Sequence, residues 1–152
     1  MILKRIENIL FFILALILTL TLAARFFGVE TFVVLSDSMY PSFRTNDLIF
    51  VQKIEHLSKE TLEIGDIVAF NRNGKLTIHR IVELNDMNLM TKGDNNDVDD
   101  HPILYSDIYG KHLFSVYQLG LLLQPLILIV IGSLFAVYKI SFKLVRELRK
   151  KE

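Results

Sequence analysis

Cysteine is absent from the 152 residues, so no disulfide, thiolate nucleophile or thiolate metal site can form, and cysteine usage leaves the compartment open. Net charge is absent too, with 17 Lys and Arg against 17 Asp and Glu. That neutrality conceals segregation. Residues 1–24 carry two basic groups against one acidic, residues 25–118 nine against fourteen, and residues 119–152 six against two. The middle of the chain lacks the basic surface that phosphate binding needs, which argues against nucleic acid as a partner. No internal repeat is visible.

Two stretches lack charge altogether. Residues 8–24 read NILFFILALILTLTLAA, and residues 119–138 read LGLLLQPLILIVIGSLFAVY. A helix rises about 1.5 Å per residue, so roughly 20 apolar residues cross about 30 Å of hydrocarbon. Arg25 can snorkel and Phe26 and Phe27 extend the first run, while Pro125 falls near the start of the second, where a kink is tolerable. A cleavable leader is the plainer alternative for the first run, but Leu22, Ala23 and Ala24 make a poor small-x-small site. Lys4 and Arg5 precede the first span, and Lys139, Lys143, Arg146, Arg149, Lys150 and Lys151 follow the second. The positive-inside rule then puts both ends in the cytoplasm and the lipid bilayer between them and the middle. The expected organisation is a cytoplasmic tip and anchor over 1–28, an extracytoplasmic domain over 29–118, a second transmembrane helix over 119–138 and a basic cytoplasmic tail over 139–152.

The middle reads mainly as β. Residues 31–35, 48–52, 67–70, 76–84 and 89–91 are β-branched or alternating, and Asn71 to Gly74 is a hairpin signal. A short helical turn is expected over 58–63 and an acidic loop over 93–102. The fold class expected is an antiparallel β domain flanked by two membrane helices.

With no cysteine, the available nucleophiles are Ser, Thr and Lys. Ser38 follows an apolar strand and precedes Pro41, a rigid place to present a hydroxyl. A serine needs a base, and histidine is the usual one, with an unperturbed pKa of about 6.5. His79 interrupts an apolar strand, with Thr77 and Ile81 on its face. His56 and His112 have ordinary polar neighbours and read as surface residues. A turn serine and a structural strand histidine would look the same, so the residues alone leave both readings open. Asp94, Asp97, Asp99 and Asp100 could supply a carboxylate to orient the base. They do not form a calcium loop, because Val98 and His101-Pro102 fall where ligands or Gly should be.

Three blocks occur in order: VLSDSMYPSFRTNDLIFVQK, GDIVAFNRNGKLTIHRIVEL and MTKGDNNDVDD. Together they resemble type I signal peptidases, in particular the archaeal and endoplasmic-reticulum branch, over about residues 33–115. The resemblance implies a membrane-bound endopeptidase that removes signal peptides from exported preproteins, with no cofactor and no metal, and leaves further membrane subunits open. By position Ser38 matches the nucleophile, His79 the general base, and Asp100 the acid that orients it, with Asp94 as the second choice. Ser36 matches a position that can donate to the oxyanion beside the Ser38 backbone N–H. Asp37 stands where Gly is usual, and its charge would oppose an oxyanion if it pointed inward. An inactive scaffold, a Ser–Lys peptidase using Lys75 or Lys92, and a peptidase dedicated to few substrates are the competing expectations.

Overall fold

The computed structural model describes residues 2–56 and 61–149. Helix α1 (Ile2–Phe26) leads into seven strands: β1 (Val29–Val33), β2 (Leu48–Lys53), β3 (Ile67–Arg72), β4 (Lys75–Leu84), β5 (Asn88–Lys92), β6 (Ile103–Leu104) and β7 (Ile108–Val116). Helix α2 (Pro125–Arg149) follows. The strands form one sheet in the order β1-β2-β7-β3-β4-β5-β6, and every pair is antiparallel. The mainly-β domain between two apolar helices is thus as the sequence implied. Of the helical turn expected over 58–63, residues 58–60 lie outside the described residues.

Successive strand residues point to opposite sides, and here both sides are covered. On one, Val68, Phe70, Ile81, Leu89 and Ile108 make a buried cluster. On the other, Ala69 joins Val34, Met39, Phe43, Ile49 and Val51. The second cluster recruits Met39 and Phe43 from the loop between β1 and β2, which fixes that loop against the sheet.

Strands β6 and β7 are the elements that the pattern did not reveal, and β7 matters more. It lies in the middle of the sheet, between β2 and β3. Its register slips against both neighbours, at Phe50/Val51 and at Ala69/Phe70. Bulges of this kind break the two-residue period that a sequence reading depends on.

The second apolar run does not begin as a helix at residue 119. Leu119–Leu123 is a 3-10 turn, and α2 starts at Pro125, whose fixed φ and missing N–H suit a first helical position. The helix then continues through the stretch expected as a basic tail, as far as Arg149. Among the described residues two segments, Lys4–Phe26 and Ile127–Leu148, are long and apolar enough to cross a membrane, and their described side chains are not buried within the protein. Twenty-residue apolar helices with no protein cover need another apolar medium, so they fit a membrane. Lys139 and Glu7 form an ion pair of 3.0 Å between α2 and α1. At the other end of α2, the connection from β7 grips the β1–β2 loop. The Gln118 N–H donates to the buried Asp47 carboxylate at 2.8 Å, and the Gln124 side chain donates to Asn46 Oδ1 at 2.7 Å.

Candidate active site

The loop carrying Ser38 is tied down at several points. The side chains of Val34, Met39 and Phe43 are buried on either side of the serine. Asp37 Oδ1 accepts the Thr45 N–H at 2.7 Å and the Thr45 hydroxyl at 2.9 Å, and these two bonds hold its carboxyl below the usual range. Asp37 therefore closes the loop across to Thr45. The acidic loop supports Ser38 from outside: the Asn95 N–H donates to the Ser38 carbonyl at 2.8 Å. Only Gly suits position 93, since a Cβ there would lie 2.7 Å from that same carbonyl oxygen.

His79 lies on β4 with a side chain only 7% exposed. Its Nδ1 is 2.6 Å from Asp100 Oδ2 and its Nε2 is 3.2 Å from the Ser38 hydroxyl. An ionised carboxylate accepts and does not donate, so the imidazole proton belongs on Nδ1 and Nε2 is left to accept from Ser38. The edge of the Phe70 ring packs on the imidazole, with centroids 6.1 Å apart.

Asp100 is nearly enclosed, at 8% exposure. Burial pushes its carboxyl up, but hydrogen bonds from His79, Thr91 and Arg72 outweigh burial and hold it below the ordinary carboxylate range. The Thr91 hydroxyl donates to Oδ2 at 2.7 Å and Arg72 donates to Oδ1 at 2.6 Å. The Asp100 N–H in turn donates to the Thr91 carbonyl at 2.7 Å, which pins the end of the loop to β5.

Ser38, His79 and Asp100 are thus brought into one line of hydrogen bonds. Ser36 is nearby, its hydroxyl 3.4 Å from that of Ser38. Asp94 is not on the imidazole. Arg80 grips it with two hydrogen bonds, at 2.8 and 2.7 Å, and the Ser42 hydroxyl adds a third. The Arg80 bonds, working against burial, hold the Asp94 carboxyl below its usual range. Arg80 also donates to the Ser42 hydroxyl and to the Gly65 carbonyl. Asp94 therefore belongs to a brace joining β4, the Ser38 loop and the acidic loop. Lys92 turns to the acidic loop, donating to the Asp97 carbonyl at 3.4 Å.

His112 corrects the sequence reading. It sits on the central strand β7, and its Nε2 is fully enclosed without a hydrogen-bond partner among the described residues. Its ring lies 5.5 Å from that of Phe43. Burial first, and then the Arg80 charge, push the imidazole below its ordinary range. The error follows from missing β7. The side chain of His56 lies outside the described residues. Arg72, Thr91, Arg80 and Ser42 were not anticipated either; the position of Arg80 beside His79, and of Thr91 within the MTKGDNN block, were the available signals. Among the described residues no three His, Asp or Glu side chains group as a metal site.

An open groove of about 840 Å³ runs past the Ser38 hydroxyl and the imidazole. Its walls are Phe32 to Ser36 on one side and Lys75 to Ile78 on the other, with Phe43, Ile49 and Ala69 at its floor and Asn96 beside the serine. It can hold an extended apolar chain with its backbone in reach of Ser38. A hydroxyl, an imidazole and a carboxylate in series can move a proton away from the hydroxyl oxygen as it attacks an electrophile.

The family model described as signal peptidase, peptidase S26, matches residues 5–106. The signal peptidase complex catalytic subunit SEC11C of Homo sapiens is 37% identical over 75 residues, covering 45% of this chain and 38% of that protein. The corresponding SEC11 subunit of Candida tropicalis is 42% identical over 74 residues, covering 45% of this chain and 42% of that protein. The match spans less than half the length of these relatives.

Proposed function

The chain belongs to the signal peptidase family, peptidase S26, and from that premise we propose that it is a membrane-bound serine endopeptidase that removes signal peptides from exported preproteins. The observation that carries the reading is the continuous series Ser38–His79–Asp100, with 3.2 and 2.6 Å between the partners.

In this reading His79 Nε2 takes the Ser38 proton as the oxygen attacks the scissile carbonyl. Asp100 holds the imidazole in the required tautomer and stabilises the imidazolium that forms. The Ser38 N–H and the Ser36 hydroxyl receive the oxyanion. The imidazolium then protonates the leaving amine, and water, activated by the same imidazole, releases the acyl group from Ser38. The groove takes the segment before the cut in extended form, pairing with backbone at its walls and admitting small side chains near Ser38.

A signal peptide is still held in the bilayer when its cleavage site emerges on the non-cytoplasmic side, and the chain's charges suit an enzyme placed there. Basic residues in the first turns of α1 (Lys4 and Arg5) and toward the end of α2 (Lys139, Lys143, Arg146 and Arg149) favour cytoplasmic termini and an extracytoplasmic domain at the cell membrane, over residues 29–118. The α2 segment starting at Pro125 serves as the second anchor. The relatives are named as catalytic subunits of a complex, which supports the existence of partner membrane subunits here.

The test is cleavage of a signal-peptide precursor by the full chain in lipid vesicles. Ser38→Ala and His79→Ala abolish cleavage, while Lys75→Ala and Lys92→Ala retain it. A His79→Ala protein that still cleaves, or a Lys75→Ala protein that does not, contradicts the reading.

A further inference from the structure

Both oxygens of Asp100 accept hydrogen bonds, and the mechanism uses only one of them. Oδ2 serves His79 and Thr91, while Oδ1 accepts from the Arg72 guanidinium at 2.6 Å. We propose that Arg72 is a positioning residue for this site: it fixes the Asp100 carboxylate against His79 and places a permanent positive charge at the far end of the proton relay. The inference rests on the serine-peptidase reading above and goes one residue beyond it.

The hairpin that carries the imidazole also carries the guanidinium. In the β3–β4 ladder Arg72 pairs with Lys75, Phe70 with Thr77, and Val68 with His79. Paired residues share a face, and so do alternate residues of a strand, so Arg72, Phe70 and His79 project to the same side. The turn between them is Asn73-Gly74, both with positive φ, at 52° and 77°. That is the two-residue turn whose twist matches an antiparallel pair, and Asn71 Oδ1 accepts the Gly74 N–H at 3.0 Å to close it. Local turn chemistry therefore sets where Arg72 and His79 stand relative to each other. Asp100 arrives from a loop, and the hairpin holds it by both oxygens.

Two consequences follow. A loop carboxylate gripped at one oxygen can rotate about its side-chain bonds; gripped at both, it presents Oδ2 to the imidazole in one orientation. The guanidinium also opposes the imidazolium formed during catalysis. The charged groups that reach His79 are Asp100, hydrogen-bonded to it, and Asp94 from the acidic loop, with Arg72 acting through Asp100; Lys75 lines the same groove, and Arg80 projects from the opposite side of β4. The carboxylates favour the imidazolium and Arg72 opposes it. Removing Arg72 thus makes the Asp100–His79 pair bind its proton more readily, and the base is disabled at a higher pH. The Arg72 side chain is 40% exposed, so solvent screens its charge and water replaces part of its hydrogen bond.

The experiment is the pH profile of kcat/KM for precursor cleavage in vesicles, for the unaltered chain, Arg72→Gln and Arg72→Lys, with Ser38→Ala as the blank. Arg72→Gln is expected to lose about ten-fold in kcat/KM and to move the acid limb up by about half a pH unit. Arg72→Lys keeps the acid limb in place and recovers part of the rate. If Arg72→Gln does not fold, Arg72→Lys decides alone: a lowered rate with the acid limb at the unaltered position supports the proposal, and an unaltered rate or an acid limb displaced upward overturns it. Glutamine and lysine variants that match the unaltered chain overturn the role of Arg72 and leave the peptidase intact. An unaltered chain no better than Ser38→Ala removes the peptidase reading, and this inference with it.

Discussion

The two ends of the acidic loop make similar use of an aspartate and yet serve different ends. Asp94 and Asp100 are both partly enclosed, both accept from an arginine and a hydroxyl, and both are held below the ordinary carboxylate range. At Asp94 both oxygens face Arg80, which leaves the carboxylate closed in a structural brace. At Asp100 the arginine takes one oxygen only, and the other accepts from the His79 Nδ1–H and the Thr91 hydroxyl. The difference lies in where the second oxygen turns: toward the arginine at Asp94, toward the imidazole at Asp100.

The sharpest way to break that comparison is to neutralise each end in turn. Asp100→Asn keeps the shape but turns a pure acceptor into a group that can donate toward Nδ1, forcing the wrong tautomer on His79. Cleavage is expected to fall about 10³- to 10⁴-fold with the fold retained, read from kcat beside a thermal melt. A loss under ten-fold would place the orienting acid elsewhere.

Asp94→Asn is expected to fail in the opposite proportion. Losing the Arg80 ion pair costs about 1–2 kcal/mol of stability, discounted because Arg80 is partly exposed, while the rate falls about ten-fold or less. Arg80→Ala and Asp94→Asn together should cost little more than either alone, since each removes the same brace. Denaturant melts of the four proteins in detergent measure this. The sign of the pH effect is fixed by the lowered carboxyls: the stability that both aspartates contribute is present above their unfolded pKa of about 3.9 and is lost as pH falls through the still lower folded values.

A smaller effect belongs to His112. Its folded proton affinity is reduced by burial and by Arg80, so the unfolded chain binds the proton more readily. The stabilisation from keeping it neutral is present above about pH 6.5 and drains away as pH falls below that, toward the lower folded value. His112→Leu should flatten the dependence of the melting temperature on pH between about 7 and 5. An unchanged slope would mean that the enclosed imidazole is protonated without penalty.

The same contrast shows what could be read from the chain. Both apolar helices were visible in uncharged runs, and β2 to β5 in alternation and in the Asn-Gly hairpin. His79 stood out as a polar residue inside an apolar strand. The choice between Asp94 and Asp100 was not legible, because loop spacing does not determine which carboxylate turns toward a strand. Asp37 could not be oriented either, since its partner Thr45 lies across a turn. β7 and its His112 were hidden by two register slips, and Arg72 by its position at a hairpin end, where a charged residue is ordinary.

The most direct measurement is mass spectrometry of the chain quenched during precursor cleavage. The account predicts an acyl adduct carrying the signal-peptide carboxyl end on Ser38 in the unaltered protein and none in His79→Ala. Cleavage proceeding with Ser38 unmodified and dispensable, or an adduct forming at the same rate without His79, would contradict it.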